Sequence, residues 1–338
     1  VRHKTFHASA TRIADLETRP YDCERIPREQ WEAGDYVVGE VTIAPGGMSR
    51  LELNSGRLVH AVDGDTLVGA LGIRHATLEV VGSYERIGAD GRMHVLTAAG
   101  LLGMATSVSG ILPPLIHVDY LGHAVRSGKK LSMNDFARKA AKEQTSFQVP
   151  TILIFGTSMS AGKTTAAKII IRELKKAGKR VVGVKLTGAG RYRDILGMQD
   201  AGADAIFDFV DVGISSSVLP VDEYRPRLRA LLDLVTEAEP EVVVAEAGAS
   251  PLEPYNGEAA IEALKEAVRL KVLCASDPYA VVGVMQGFGM HPDLVAGLAT
   301  STAAGVQVVQ KLSRTPALNL LDPKSWPRLN QILENSLS

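Results

Sequence analysis

Cysteine is nearly absent from this chain: 338 residues contain only Cys23 and Cys274, far apart and in no ligand-like spacing. That excludes a disulfide framework and a cysteine-based metal centre, and points to a reducing cytoplasm. Charge of one sign is lacking as well. The chain has 37 Lys and Arg against 38 Asp and Glu, so no surface for nucleic acid or an anionic membrane is expected. No apolar run approaches the roughly 20 residues of a membrane span. The opening Val1-Arg2-His3-Lys4 leads into no apolar segment, and no signal peptide is expected. Internal repeats and low-complexity tracts are missing too. Histidines offer no recognisable metal set: His117, Asp119 and His123 fall on one face of a regular strand, but no fourth ligand has suitable spacing. His60 and His75 read as barrel surface or interface positions.

What is present is Gly156-Thr157-Ser158-Met159-Ser160-Ala161-Gly162-Lys163-Thr164-Thr165, preceded by the apolar run Thr151–Phe155. A buried strand, a glycine-bounded loop and Lys-Thr at a helix start form a phosphate cradle. Backbone N–H groups of the loop and first helical turn converge on an anion, and the helix dipole adds positive charge there. Lys163 reaches the outer phosphates and Thr164 completes the shell of Mg²⁺. Cofactor-binding candidates are therefore Gly156, Thr157, Ser158, Ser160, Ala161, Gly162, Lys163, Thr164 and Thr165. Five residues, rather than the usual four, separate Gly156 from Gly162. Downstream, Ala166, Ala167, Ile170, Ile171 and Leu174 supply a helix face that ends in Lys175-Lys176-Ala177-Gly178.

The two halves have different patterning. From about Gly34 to Val125, short β-branched segments alternate with turns such as Pro45-Gly46-Gly47 and Asp63-Gly64-Asp65, which suggests a small barrel or sandwich. Ala98–Gly103 reads as a short helix against it, and Ser132 or Asn134 as the cap of a helix running through Glu143. A domain boundary is expected near residue 147, giving a β-rich domain over 1–146 and an α/β nucleotide-binding domain over 147–338. In the latter, strands at 151–155, 181–186, 242–246, 271–275 and 306–310, with a weaker one near 317–320, alternate with helices and predict a mostly parallel sheet.

Parallel sheets hold ligands at the carboxyl ends of their strands. Lys185 ends one such strand and is followed by Thr187, Gly188 and Arg191, candidates for holding an anionic substrate. Arg193 and Asp194 sit in the same loop. Glu246 ends another strand, where a carboxylate serves Mg²⁺, and Gly248 and Ser250 after it let a substrate lie against the backbone. Asp277 follows a third strand, either touching ligand or starting a turn, while Cys274 reads as core. Asp200, Asp204, Asp208 and Asp211 recur at helical spacing; Asp200 reads as solvent-facing, Asp208 is left open, and Asp204 is kept as a third metal candidate.

With these clusters in place, the second half resembles the dethiobiotin-synthetase-like branch of P-loop NTPases. That branch also has Gly-Thr, a five-residue gap to Gly-Lys-Thr, a lysine matching Lys185, and Glu-x-Ala-Gly-like residues matched by Glu246-Ala247-Gly248. A poorly characterised P-loop family linked to D-glutamate N-acetylation is more similar still. It shares Thr187-Gly188, Asp204-Ala205 and Asp208-Phe209-Val210-Asp211-Val212-Gly213. The resemblance implies that Asn319, within Thr315–Asn319, lies near an adenine. It departs at Ser158, where dethiobiotin synthetase has an acid, and in the β-rich first half. No Asn-Lys-x-Asp guanine reader is present, which favours ATP. The expected function is MgATP-dependent ligase or kinase chemistry on a small anionic metabolite, a carboxylate above all, with Lys163, Lys185 and Glu246 catalytic, in a homo-oligomer. An acyl-coenzyme A-dependent N-acyltransferase and a nucleotide-switched delivery module are the alternatives.

Overall fold

A computed structural model describes residues 3–142, 146–248 and 250–338. The chain forms two compact units. The first comprises 1–138 together with 189–193 and 209–218, and the second 139–188, 194–208 and 219–338. The division thus falls ahead of the boundary expected near residue 147, and two short later segments belong to the first unit.

Of the two β architectures left open for the first unit, the barrel is the one formed. β1 (Tyr36–Thr42), β2 (Thr66–Leu71), β3 (Arg92–Thr97), β4 (Leu101–Val108) and β5 (His117–Arg126) join in the order β2-β1-β5-β3-β4. A parallel pairing of Leu101 and Leu102 with Ala70 and Leu71 closes the ring. Val37, Val41, Leu67, Leu71, Met93, Val95, Leu102 and Val118 are among the buried core residues of this unit. Closure removes sheet edges and lets alternating inward residues share one core.

Two helices expected in this half do not form. Ala98–Gly100 is a turn that leads directly into β4. After Ser132 there is one 3₁₀ turn, Met133–Phe136, with a Ser132–Asp135 capping box. Ala137 then leaves helical geometry and the Arg138 N–H bonds to the Asp211 carbonyl. No helix continues to Lys142, and Glu143 lies outside the described residues. The shared face proposed for His117, Asp119 and His123 is broken by a register shift in β5 between Tyr120 and Gly122. His117 and Asp119 are exposed, whereas His123 is fully buried against Tyr120, Trp31 and Asp35.

The second unit is an α/β fold. Its sheet is parallel throughout, with strands β6 (Thr151–Gly156), β7 (Val181–Thr187), β8 (Ala205–Asp208), β9 (Val242–Ala247), β10 (Val268–Cys274) and β11 (Leu294–Ala296). The order is β8-β7-β9-β6-β10-β11. Helices α1 (Lys163–Lys176), α2 (Tyr192–Asp200), α3 (Val221–Glu237), α4 (Gly257–Leu264), α5 (Pro278–Phe288), α6 (Ala303–Ser313) and α7 (Trp326–Leu337) complete the alternation. The segment 306–310, expected as a strand for its valines, lies in α6. Thr302 caps that helix by accepting the Gly305 N–H, and Arg314 ends it in left-handed geometry, so capping and packing override β propensity. The weak strand near 317–320 reduces to a single bridge from Ala317 to Val295. Among the described residues no helix is long and apolar enough to cross a membrane.

Cys274 ends β10 fully buried, and burial pushes its thiol up to about 12, whereas Cys23 is exposed. Ellman's reagent should therefore titrate Cys23 in the folded protein, with Cys274 reacting only in denaturant; a fast second thiol under native conditions would contradict this burial.

Candidate functional site

The site starts from a wholly buried strand. β6 delivers Gly156 to the sheet's carboxyl edge between β9 and β10. Beyond it the chain turns back through two residues of positive φ, Ser160 at 63° and Gly162 at 103°, and α1 begins at Lys163. Contacts with the neighbouring strand ends fasten the loop. The Thr157 N–H donates to the Cys274 carbonyl at 3.1 Å, the Ser276 N–H to Thr157 Oγ1 at 3.1 Å, and the Leu298 N–H to the Ala161 carbonyl at 3.4 Å. The ends of β10 and β11 thus shape the loop from outside.

Lys163 is folded back into this loop. Its side chain runs over Gly156, is 5% exposed, and donates from Nζ to the Ser158 carbonyl at 2.7 Å. Burial lowers its pKa, because a buried ammonium facing a neutral carbonyl is poorly solvated. Glu246 offsets part of this cost, and an anion entering the loop would add countercharge. This lysine and the loop's curvature therefore fit a nucleotide phosphate chain.

Strand register then sets a row of charge beside the loop. Asp208 on β8 pairs with Lys185 on β7, Lys185 with Glu246 on β9, and Glu246 with Ile154 on β6. Residues in register on parallel strands point to one face. Thr164 Oγ1 donates to Glu246 Oε2 at 3.1 Å, joining the row to α1. Lys185 ion-pairs with Asp194. Desolvation raises the Glu246 carboxyl above the usual carboxylate range. Desolvation works against the Lys185 ammonium, but Asp194 and Glu246 outweigh it and hold its pKa up. Thr164 and Glu246 are the chain's own candidates for a divalent cation.

Most of the sequence-derived candidates gather here. Thr187 Oγ1 donates to the Gly248 carbonyl at 3.0 Å, and a Cβ on Gly248 would lie 2.2 Å from the Thr187 carbonyl, so two strand ends touch backbone to backbone. Gly188 follows with φ of 125°. Ser158, Ala161 and Ser250 are buried, and the Ser250 N–H donates to Glu253 at 2.7 Å, whereas Thr165 is exposed in the first turn of α1. Asn319 donates to the Ser301 carbonyl at 3.0 Å, beside the segment that follows β11.

Others lie elsewhere. Asp204 sits at the amino ends of the strands, accepting the Val181 N–H and pairing with Lys175. The sheet's length separates it from the loop, so Asp204 is not a metal ligand there. The helical spacing that suggested it is coincidental, since Asp204 and Asp208 bracket β8. Arg191 is exposed and groups with the first unit. Asp277 caps α5 through the Tyr279 and Ala280 N–H groups, which accounts for it without a ligand.

Gly297 was not anticipated. A Cβ there would meet the Ala161 carbonyl at 2.3 Å, and its φ is 90°. Only glycine lets this chain pass beneath the loop, and the short run Leu294–Ala296 gives the sequence no strand-end signal for it. Gly297→Ala should cost about 1–3 kcal/mol through strain and loosen the loop, read by urea unfolding and nucleotide titration together; an unchanged midpoint would show that the loop is not seated on Gly297.

No family model matches this sequence, and no curated protein does. Solved structures give distant likenesses. Chloroplast FtsY from Physcomitrella patens is 15% identical over 53% of this chain and 61% of its own, with a TM-score of 0.35. A DUF1611 family protein from Anabaena variabilis is 13% identical over 63% of this chain and 65% of its own, at 0.37. The hydrogenase maturation factor HypB from Archaeoglobus fulgidus is 14% identical over 56% of this chain and 91% of its own, at 0.38. The chain spans less than two thirds of the length of the first two. At these identities and TM-scores none of them bears on activity or substrate.

Proposed function

We propose that this chain is a P-loop enzyme that binds MgATP and transfers a phosphoryl group to a small anionic acceptor, as a ligase or kinase does. The observation that carries the reading is the Lys185–Glu246 adjacency on neighbouring strands, with Glu246 joined to Thr164 at the start of α1. A phosphate cradle alone binds nucleotide; a second buried lysine beside it gives an anionic acceptor somewhere to sit.

In this reading Lys163 exchanges the Ser158 carbonyl for outer phosphate oxygens and neutralises charge developing on the transferred group. Thr164 and Glu246 would hold Mg²⁺, which when bound draws charge from the phosphate oxygens and orients them for in-line attack. Lys185, held by Asp194, orients the acceptor. The Thr187-Gly188 and Gly248 edge admits that acceptor against the backbone. The missing Asn-Lys-x-Asp sequence supports ATP over GTP. The dethiobiotin-synthetase-like resemblance supports a metabolite as acceptor. Two unpaired cysteines fit a reducing cytoplasm, and a homo-oligomer belongs to the same proposal.

Calorimetry with Mg²⁺ should show ATP binding more tightly than GTP, and Lys163→Ala should weaken it about tenfold to a hundredfold, as loss of a charge-assisted contact does. A folded protein with no affinity for either nucleotide would sink the reading. Thermal protection by coenzyme A but not by ATP would favour the acyltransferase instead.

Because burial raises the Glu246 carboxyl, Mg²⁺-dependent affinity should fall as pH drops through that raised value, where the carboxylate takes up a proton. Glu246→Gln should flatten this profile. A profile identical in both proteins would remove Glu246 from the cation site.

A further inference from the structure

In the first unit, β3 and β4 run as a ladder only as far as Gly103, which pairs with His94. Beyond that point β4 turns to the strand Val80–Ser83. Met104 pairs there with Ser83 and Ala105 with Gly82, and a register shift follows between Ala105 and Ser107. Where β4 leaves β3, a side chain takes over from the ladder: the Ala105 N–H donates to His94 Nδ1 at 3.3 Å. A half-buried backbone donor needs such an acceptor.

That bond fixes the state of the ring. Nδ1 accepts only while it carries no proton, so His94 is neutral with its proton on Nε2. A second imidazole stands beside it. His117 pairs with His94 across β5 and β3, and the ring centroids lie 4.4 Å apart. His94 is half-buried and His117 exposed. The residues in register with His94 are His117 and Gly103, neither of them an acid. Two positions along both strands, Arg92 pairs with Asp119 at 3.7 Å, and Glu40 on β1 lies across from Asp119. Thr42 lies across from His117, and Leu101–Val108 carries no charged residue. Burial, and then the neighbouring His117, hold the His94 imidazole below the usual histidine range.

We propose that the His94–His117 pair is an acid-sensitive latch within the first unit. Neutral, His94 fastens the outer end of β4 to β3. Protonated, it releases the Ala105 N–H, and that end of β4 parts from β3 together with Val80–Ser83. His117 sets the pH of release, because a proton on one ring disfavours a proton on the other. All of these residues lie in the first unit, and the latch requires nothing of the second. Once open, His94 regains the ordinary histidine affinity for a proton, with a pKa of about 6.5. Opening therefore takes up a proton. The latch is fully held above that value and weakens as pH falls through it towards the lowered one.

Amide hydrogen exchange of the full chain, followed by NMR across neutral to mildly acid pH, tests this. With the intrinsic pH dependence of exchange divided out, Ala105 protection should fall by up to about tenfold per pH unit below about pH 6.5. His117→Gln should raise the His94 midpoint, read from its carbon-bound ring protons, and move the fall to higher pH. His94→Asn puts an oxygen that does not titrate where Nδ1 sits, and Ala105 protection should then stay level. An Ala105 profile that is level in the unaltered protein, or that falls as steeply in His94→Asn, would overturn the latch. So would a His94 midpoint that His117→Gln leaves unmoved.

Discussion

A buried ammonium group held by a neutral carbonyl is the constraint around which the second unit is arranged. Lys163 lies inside its own loop with the Ser158 carbonyl as its hydrogen-bond partner, and its burial costs more than the nearby Glu246 carboxylate offsets. Such an arrangement persists only where the surroundings over-determine it. Here they do: β6 is buried along its whole length, the loop is fastened by the ends of β10 and β11, and α1 packs an apolar face of Ala166, Ala167, Ile170, Ile171 and Leu174.

The same constraint organises the charges next to it. Glu246 and Lys185 occupy registered positions on adjacent strands, so the sheet holds their backbones side by side. Both side chains are buried, and little ordering entropy remains to be lost when a ligand binds. Asp194 and Thr164 then tie the pair to the starts of α2 and α1. Acid and base in this row carry opposite consequences of one environment: desolvation raises the Glu246 carboxyl, while the carboxylates around Lys185 keep it charged.

The first unit meets a different problem. Many short strands with frequent turns leave long edges, and closing β4 onto β2 removes them. Closure has local costs visible in the sequence only afterwards. The register shift after Tyr120 rotates His123 inward, where the Tyr120 hydroxyl bonds its Nδ1 and Trp31 packs on its ring. Strict alternation along β5 put His117 and His123 on one face; a single extra residue separates them.

The sequence by itself determined what depends on neighbours along the chain. The phosphate loop, its strand and its helix follow from apolar runs and glycine spacing within Thr151–Lys176, and Lys185 and Glu246 are legible as polar residues that close apolar strands. The parallel sheet followed from alternation, and the β-rich character of the first half from its turns. Only the tertiary structure decided what depends on residues remote in sequence. It chose barrel over sandwich, turned the valines of 306–310 into α6, sent Asp204 to the far end of the sheet, and put Gly297 beneath the loop. The physical reason is common to all of these. Propensity and periodicity act over a few residues, whereas sheet order and close backbone approach are settled by which surfaces must share a core.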